Sequence, residues 1–450
     1  MAESILLDTR RAAKADRAGI ERRQRARLAD MVAFARQHSP YYRELYRDLP
    51  DRIEDPCGLP VTDKKTLMER FDDWCTDRAV TLEAVEAVVD DPARIGERFL
   101  GKYTLYTTSG TTGRRGIFLA DDRTMAVVTA MMLRWIGGWL SPGDILRIIA
   151  RRGRTAMVMA TGGHFASAVA AARLKKRQGK RLEVLSAHMP MTELVDRLNR
   201  FQPAMLAPYA SIAAMLANEQ EAGRLAIHPV LLALSAEGLP QAEYGRIARA
   251  FDAKVGNSYA ASECVFMSAM CGEGWLHVNA DWVVFEPVDA NHQPVAPGEP
   301  SHTVLISNLA NRVQPILRYD LGDSVVQRPD PCPCGNPLPA IRVQGRSADV
   351  LTFRTPRGEV RIAPLALSQP IEAVRGITLF QIAQTAPETL ELRLQVASTA
   401  NEDAVWREAE TGLRKVLAAH GLEQVALERG GDPPEQGHGG KFREVIPLAD

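Results

Sequence analysis

Between residues 144 and 258 short apolar runs alternate with amphipathic stretches, and that alternation restricts the chain to few architectures. The pattern predicts strands at Ile145–Ile149, Leu182–Ser186, Met205–Ala207, Val230–Ser235 and Lys254–Ser258. It predicts helices at Phe165–Arg177, Met191–Arg200, Ser211–Ala222 and Gln241–Phe251. Parallel strands need long crossovers, and helices usually supply them. The rhythm therefore implies an α/β fold with a parallel sheet flanked by helices. Ligands in such sheets bind beyond the carboxyl ends of the strands. The residues that follow each strand are thus the first candidates for a site.

A second segment points to an anion. Thr107-Thr108-Ser109-Gly110-Thr111-Thr112-Gly113-Arg114-Arg115-Gly116 packs hydroxyls and glycines between two predicted strands, Tyr103–Tyr106 and Gly116–Ala120. Successive backbone N–H groups in such a turn form an anion-binding concavity, and the hydroxyls add donors. The segment reads as a strand–loop–strand phosphate clamp. It lacks the Gly-Lys-Ser/Thr ending of a strand–loop–helix P-loop.

At 450 residues the chain exceeds a single core. Residues 4–47 read as mostly amphipathic helix, and Thr62 or Asp63 caps a helix running to about Trp74. Met125–Leu140 reads as a buried helix with Met131, Met132 and Trp135 in the core. Residues 275–327 are strand-rich. The pattern changes near residue 346, so the chain divides into a large domain over 1–346 and a small α+β domain over 347–450. The small domain has predicted strands at Ile377–Gln384 and Leu390–Val396 and a helix at Glu402–His420. Lys+Arg and Asp+Glu both count 55, which argues against nucleic acid as a partner. No apolar run spans a bilayer, and the N-terminus lacks a signal-peptide core. Six cysteines are sparse for this length and suit a reducing cytosol, so a cytoplasmic location is expected.

Four further clusters follow in order: Ser235-Ala236-Glu237-Gly238, Asn257-Ser258-Tyr259-Ala260-Ala261-Ser262-Glu263, Arg318-Tyr319-Asp320-Leu321-Gly322-Asp323 and Gly439-Gly440-Lys441-Phe442-Arg443. With Thr108–Gly113, and with Ser39-Pro40-Tyr41-Tyr42 and Leu59-Pro60-Val61-Thr62-Asp63-Lys64 near the start, the chain resembles the adenylate-forming superfamily. It is most similar to the phenylacetate–CoA ligase branch, which includes the coenzyme F390 synthetase-like proteins. The resemblance covers nearly the whole chain. It implies a large N-terminal domain and a small mobile C-terminal domain behind a hinge at Gly345–Asp349.

The resemblance also implies two half-reactions, in which ATP activates a carboxylic acid as an acyl-adenylate and a thiol then displaces AMP. It assigns Thr108, Ser109, Gly110, Thr111, Thr112 and Gly113 to the phosphates, and Glu263 to Mg²⁺. It frames the adenine with Ala236 and Glu237, stacks Tyr259 on it, counts Ser258 and Ala260 among the ATP/AMP-binding residues, and puts Asp323 on the ribose hydroxyls and Arg346 near ribose and phosphate. Lys441 would bridge the substrate carboxylate and the α-phosphate when the small domain closes. Three positions depart from the family pattern. Arg115-Gly116 stands where many relatives have Pro-Lys, Ala260 stands for glycine, and Ala348 for the acidic hinge residue, so Ala348 and Asp349 are both hinge candidates.

Two constellations lie outside those motifs. Cys271, His277, Cys332 and Cys334 offer three soft thiolates and an imidazole, a closed tetrahedral set for a structural Zn²⁺; unrelated reduced thiols are the alternative. His164, Phe165, Tyr209, Ser235, Ala236, Ala260 and Ala261 follow predicted strands and would line an acid pocket with aromatic walls and small floors. That suits a small aromatic carboxylic acid. His164 would either bond the substrate or pack against backbone. The acceptor is expected to be coenzyme A. The alternatives are a carrier-protein phosphopantetheine, a cofactor hydroxyl receiving AMP, or a nucleotide-binding regulator without catalysis. A homodimer is plausible by family analogy.

Overall fold

The computed structural model describes residues 2–448, apart from 13–14, 109–114, 162, 188, 237, 240, 347–350, 356–357, 363, 399 and 436–441. Among the described residues the largest sheet has nine strands. Its order is Asp323–Gln327, Ala340–Arg346, Leu276–Val278, Cys264–Met270, Lys254–Ala261, Leu231–Leu234, Met205–Pro208, Thr155–Met159 and Leu182–Ser186. Neighbours from Lys254–Ala261 to Leu182–Ser186 pair in parallel, and the remaining pairs are antiparallel. The fold is α/β with a mixed sheet.

The helices Ala166–Gln178, Met191–Phe201, Ala210–Glu221 and Gln241–Phe251 make the crossovers. Each forms because its apolar positions repeat at helical spacing. In Met191–Phe201 they are Leu194, Val195 and Leu198, all buried, and Gln202 ends the helix in the left-handed conformation. These faces meet the strands in one cluster that includes Val158, Leu206, Leu232, Ile212 and Phe251. Burying a side chain such as Leu198 contributes about 1.5–3 kcal/mol.

One predicted strand is a helix. Ser141 and Asp144 form a capping box, Pro142 opens the first turn, and Pro142–Ala150 is helical. The sheet strand comes later, at Thr155–Met159. Four apolar residues in a five-residue run satisfy either period, and here the cap decides. Leu146 and Ile149 are consequently 66% and 64% exposed rather than sheet core. Met132 also differs from expectation: on the helix Asp122–Trp139 it is 47% exposed, whereas Met131 is fully buried. Further along that helix Trp139 lies flat on Gly256, where an added Cβ would stand 2.3 Å from the indole.

Two three-stranded antiparallel sheets complete the larger part. One is Arg98–Phe99, Tyr103–Thr107 and Ile117–Ala120; the other is Val283–Val288, Thr303–Asn308 and Ile316–Asp320. The N-terminal helix Arg17–His38 seals the second, with Arg27 stacked 3.6 Å over Trp282 and Gln24 donating to the Val283 carbonyl. Buried Tyr42 and Trp74 both donate to the Pro315 carbonyl.

Residues from Leu351 onward bury their apolar side chains in a cluster of their own. A four-stranded sheet, ordered Ala426–Arg429, Thr389–Val396, Ile377–Ala386 and Val445–Ile446, is covered by Pro364–Glu372 and Glu402–Ala419. The latter starts at the cap Asn401 and buries Val405, Ala409, Leu413 and Leu417, a stripe of period four. Among the described residues no helix is long and apolar enough to cross a membrane.

Candidate active site

The hairpin that carries the phosphate clamp ends beside the parallel sheet. The Thr107 N–H donates to the His164 carbonyl at 2.8 Å, and the Ser262 hydroxyl to the Thr107 carbonyl at 3.4 Å. Thr108 closes the neck of the loop: its N–H donates to the Gly116 carbonyl at 3.0 Å, and its Oγ1 accepts from the Gly116 N–H at 2.9 Å. In this conformation the Thr108 hydroxyl holds the loop rather than facing a reacting group. Ser109, Gly110, Thr111, Thr112 and Gly113 lie outside the described residues, as do Glu237, Ala348, Asp349 and Lys441. Arg346 ends its strand opposite Asp323; its side chain is outside the description.

Two carboxylates belong to the candidate site, and Glu263 follows Ser262, which contacts this hairpin. Glu263 sits in the turn between Lys254–Ala261 and Cys264–Met270 and is only 8% exposed. The Tyr319 hydroxyl donates to Glu263 Oε1 at 2.9 Å, and Asn308 Nδ2 donates to the Glu263 carbonyl at 3.0 Å. Burial raises the Glu263 pKa above the usual carboxylate range, and the negative charge of Asp323 adds to the rise. The Tyr319 hydroxyl and the Lys64 ammonium act in the other direction. Asp323, at the start of its strand, accepts from the Tyr259 hydroxyl at 2.6 Å. So Glu263, Asp323 and Tyr259, three of the residues singled out in the sequence, are brought together.

The expected acid-pocket residues fall at the carboxyl ends of the parallel strands. Tyr209 and Ser235 form a bridge between neighbouring strand ends. Tyr209 is buried, and its hydroxyl accepts from the Ala160 N–H at 3.2 Å, so its polar end faces backbone. Ala236 stands at φ 73°, a conformation that costs a non-glycine residue energy and recurs at functional sites. Ser258 and Ala261 are half-buried on their strand, and Ala260 between them is exposed. The Phe165 ring folds over Gly163, where a Cβ would stand 2.8 Å from it.

His164 is 3% exposed, and among the described residues neither ring nitrogen has a hydrogen-bond partner. The Arg94 backbone acts on the ring without meeting hydrogen-bond geometry at either nitrogen. Burial lowers the His164 pKa, which favours neutral imidazole with one donor and one acceptor.

Cys271, His277, Cys332 and Cys334 converge, with all four donor atoms within 4.8 Å of one another. Cys271 Sγ lies 3.8 Å from Cys332 Sγ, and Cys334 Sγ lies 3.2 Å from His277 Nε2. A tetrahedral zinc site with Zn–S near 2.3 Å has an S···S edge of about 3.8 Å, so the set fits. His277 Nδ1 lies 2.9 Å from the Leu338 carbonyl, which leaves Nε2 as the ligand atom. Gly335 turns at φ 77° and donates back to the Cys332 carbonyl, closing the knuckle. The cluster follows the far end of Cys264–Met270 from Glu263, roughly 25 Å away at strand rise. It gathers two loops and the strand Leu276–Val278 at one point, separate from the carboxylates.

Three functional candidates were not evident in the sequence. Tyr319 lies inside the Arg318–Asp323 motif, but nothing in one sequence pairs it with Glu263. Lys64 ends the Leu59–Lys64 segment and acts electrostatically on Glu263. Buried Gln381 donates to the carbonyls of both Glu435 and Arg443, each at 3.0 Å, so one side chain holds the chain on either side of Lys441.

No family model matches the chain. Protein CapK of Staphylococcus aureus is 29% identical over 136 residues, which span 29% of this chain and 28% of that protein. Among solved structures, 2-hydroxyisobutyryl-CoA ligase in the postadenylation state, in complex with R3-HIB-AMP, superposes with a TM-score of 0.68. It is 20% identical, over 95% of this chain and 89% of that one. Anthranilate CoA ligase AuaEII in complex with anthranoyl-AMP gives a TM-score of 0.52 at 14% identity, over 75% of this chain and 64% of that one. At these identities the likeness is one of fold. The chain shares the overall fold of these two CoA ligases, as the sequence resemblance implied.

Proposed function

We propose that this chain is an ATP-dependent acid–thiol ligase for a compact, aromatic carboxylic acid. In the first half-reaction a carboxylate oxygen attacks the α-phosphorus of ATP, and pyrophosphate leaves. In the second a thiolate sulfur, that of coenzyme A, attacks the acyl carbon, and AMP leaves. The observation that carries this reading is the convergence of Glu263, Asp323 and Tyr259 beside the neck of the phosphate clamp. Glu263 has a carboxylate oxygen free of Tyr319 and would hold Mg²⁺, which takes carboxylate and phosphate oxygens and offsets phosphate charge. Asp323, an ionisable carboxylate bonded by Tyr259, would accept from the ribose hydroxyls. The loop amides at Ser109–Gly113 would cradle the phosphates. The structures similar in fold are named for small acids, one branched and hydroxylated and one aromatic.

A pyrophosphate-release screen over aryl and alkyl acids, with and without coenzyme A, tests this reading. Benzoate- to phenylacetate-sized acids should be activated, and decanoate should not. Release that needs an acid but is indifferent to coenzyme A would favour carrier-protein loading or AMP transfer as the second step. Ala260→Gly should widen acid tolerance by one methyl, worth roughly 1–3 kcal/mol of discrimination at most. Unchanged relative rates across the panel would show that Ala260 does not face the acid.

We also propose one structural zinc on Cys271, His277, Cys332 and Cys334. Elemental analysis of the purified protein should give about one zinc per chain, as expected for a closed four-ligand site. Cys334→Ser should lower the melting temperature while leaving turnover at saturating substrate within about twofold, because the cluster is far from the carboxylates. Metal-free protein with an unchanged melting temperature would refute it.

A further inference from the structure

We infer that two tyrosine hydroxyls are positioning groups for the two carboxylates, Tyr319 setting Glu263 for the metal and Tyr259 setting Asp323 for the nucleotide; this rests on the ATP-site reading above.

Tyr319 owes its direction to a fault in its strand. Between Thr303–Asn308 and Ile316–Asp320 the register slips: Ile306 faces Tyr319, yet Asn308 faces Ile316. Arg318, within the slip, takes φ 45°, which a long side chain rarely adopts. Five contacts hold it there, two of them from the guanidinium to the Cys57 and His292 carbonyls at 3.4 and 3.3 Å. Its N–H donates to Ser307 Oγ at 2.8 Å, its Nη1 to the Leu59 carbonyl at 2.7 Å, and its Nε lies 3.4 Å from Glu286. Thr62 clamps the same segment, donating to the Arg318 carbonyl and accepting from the Asp320 N–H. Bulges beside active sites commonly re-aim a side chain, and strained backbone persists where its surroundings over-determine it.

The outcome of this construction is Tyr319, 2% exposed, with its hydroxyl on Glu263 Oε1. Asn308, from the other side of the same fault, holds the Glu263 carbonyl. Glu263 is thus fixed through both its backbone and one carboxylate oxygen, and the second oxygen is the one we assign to the cation. Tyr259 is held differently. Its ring meets Phe285 edge-on at 6.5 Å, and its hydroxyl reaches Asp323 Oδ2. The two donors serve different ligands, so their loss should separate.

The test uses the full-length protein and its Tyr259→Phe and Tyr319→Phe variants. AMP affinity is measured by calorimetry without metal, and Mn²⁺ binding in the presence of ATP by electron paramagnetic resonance. Tyr259→Phe should weaken AMP about tenfold and leave Mn²⁺ half-saturation within twofold. Tyr319→Phe should do the reverse, and in turnover it should raise the KM for Mg²⁺ without changing the KM for the acid. Asn308→Ala, which removes the backbone hold, should weaken Mn²⁺ in the same direction and serves if Tyr319→Phe folds poorly. Variants that match the wild type, or that weaken AMP and Mn²⁺ together, overturn the inference while the ATP-site reading stands. A wild-type protein that binds neither AMP nor ATP overturns both.

Discussion

Lys441→Ala is expected to reduce adenylate formation by a hundredfold or more, on the order of 3 kcal/mol, while a supplied acyl-adenylate is still converted to thioester at close to the normal rate. The resemblance gives Lys441 a role only while the α-phosphate is under attack. The structure adds how its neighbourhood is held. Gln381, buried in the strand Ile377–Ala386, binds the carbonyls of Glu435 and Arg443 and accepts from the Glu435 N–H, and Phe442 is buried next to the lysine. The chain therefore enters and leaves 436–441 at a single core side chain. The measurement is pre-steady-state pyrophosphate release set against coenzyme A consumption from synthetic acyl-adenylate. Equal loss in both half-reactions would contradict a two-conformation cycle for this chain.

Glu263→Gln should cost about a hundredfold in Mg²⁺-dependent turnover, because a neutral amide is a poor ligand for a hard cation. The fold should persist. The amide oxygen can still accept from the Tyr319 hydroxyl, and removing a buried charge relieves the desolvation that raises the Glu263 pKa. The melting temperature of the variant should therefore match or exceed that of the wild type. Titrating pyrophosphate release against Mg²⁺, alongside a thermal melt, gives both numbers. Near-normal turnover at ordinary Mg²⁺ would place the metal on other groups.

The parallel half of the sheet was legible because its strands and helices alternate at lengths that separate the two periods. Gln241–Phe251 shows the same bounds in pattern and structure. Ile145–Ile149 was misread because a run that short fits strand and helix equally, although Ser141-Pro142-Gly143-Asp144 already carried the helix-start signal. The Cys/His set was legible in kind, since few other roles gather three thiols and an imidazole; its closure across Cys271, His277 and the Cys332–Cys334 knuckle needed the fold. Glu263 and Asp323 were singled out through their motifs. The Tyr319 contact was not, because it depends on a register slip; Tyr259 was read as an adenine contact, and its bond to Asp323 joins two strands that are not neighbours in the sheet. Tyr209 was placed correctly at a strand end, yet its hydroxyl bonds the Ala160 backbone, a choice no one-dimensional pattern records.

In the proposed adenylation a carboxylate oxygen of the substrate ends up on AMP. An aromatic acid labelled with ¹⁸O in both carboxylate oxygens, incubated with the protein, ATP, Mg²⁺ and coenzyme A, tests it directly by mass spectrometry of the nucleotide product. The account predicts one ¹⁸O in the phosphate of AMP and one retained in the thioester carbonyl, because attack on the α-phosphorus joins that oxygen to AMP before the thiol releases it. Label in inorganic phosphate with ADP as the nucleotide product, or AMP free of label, would contradict it.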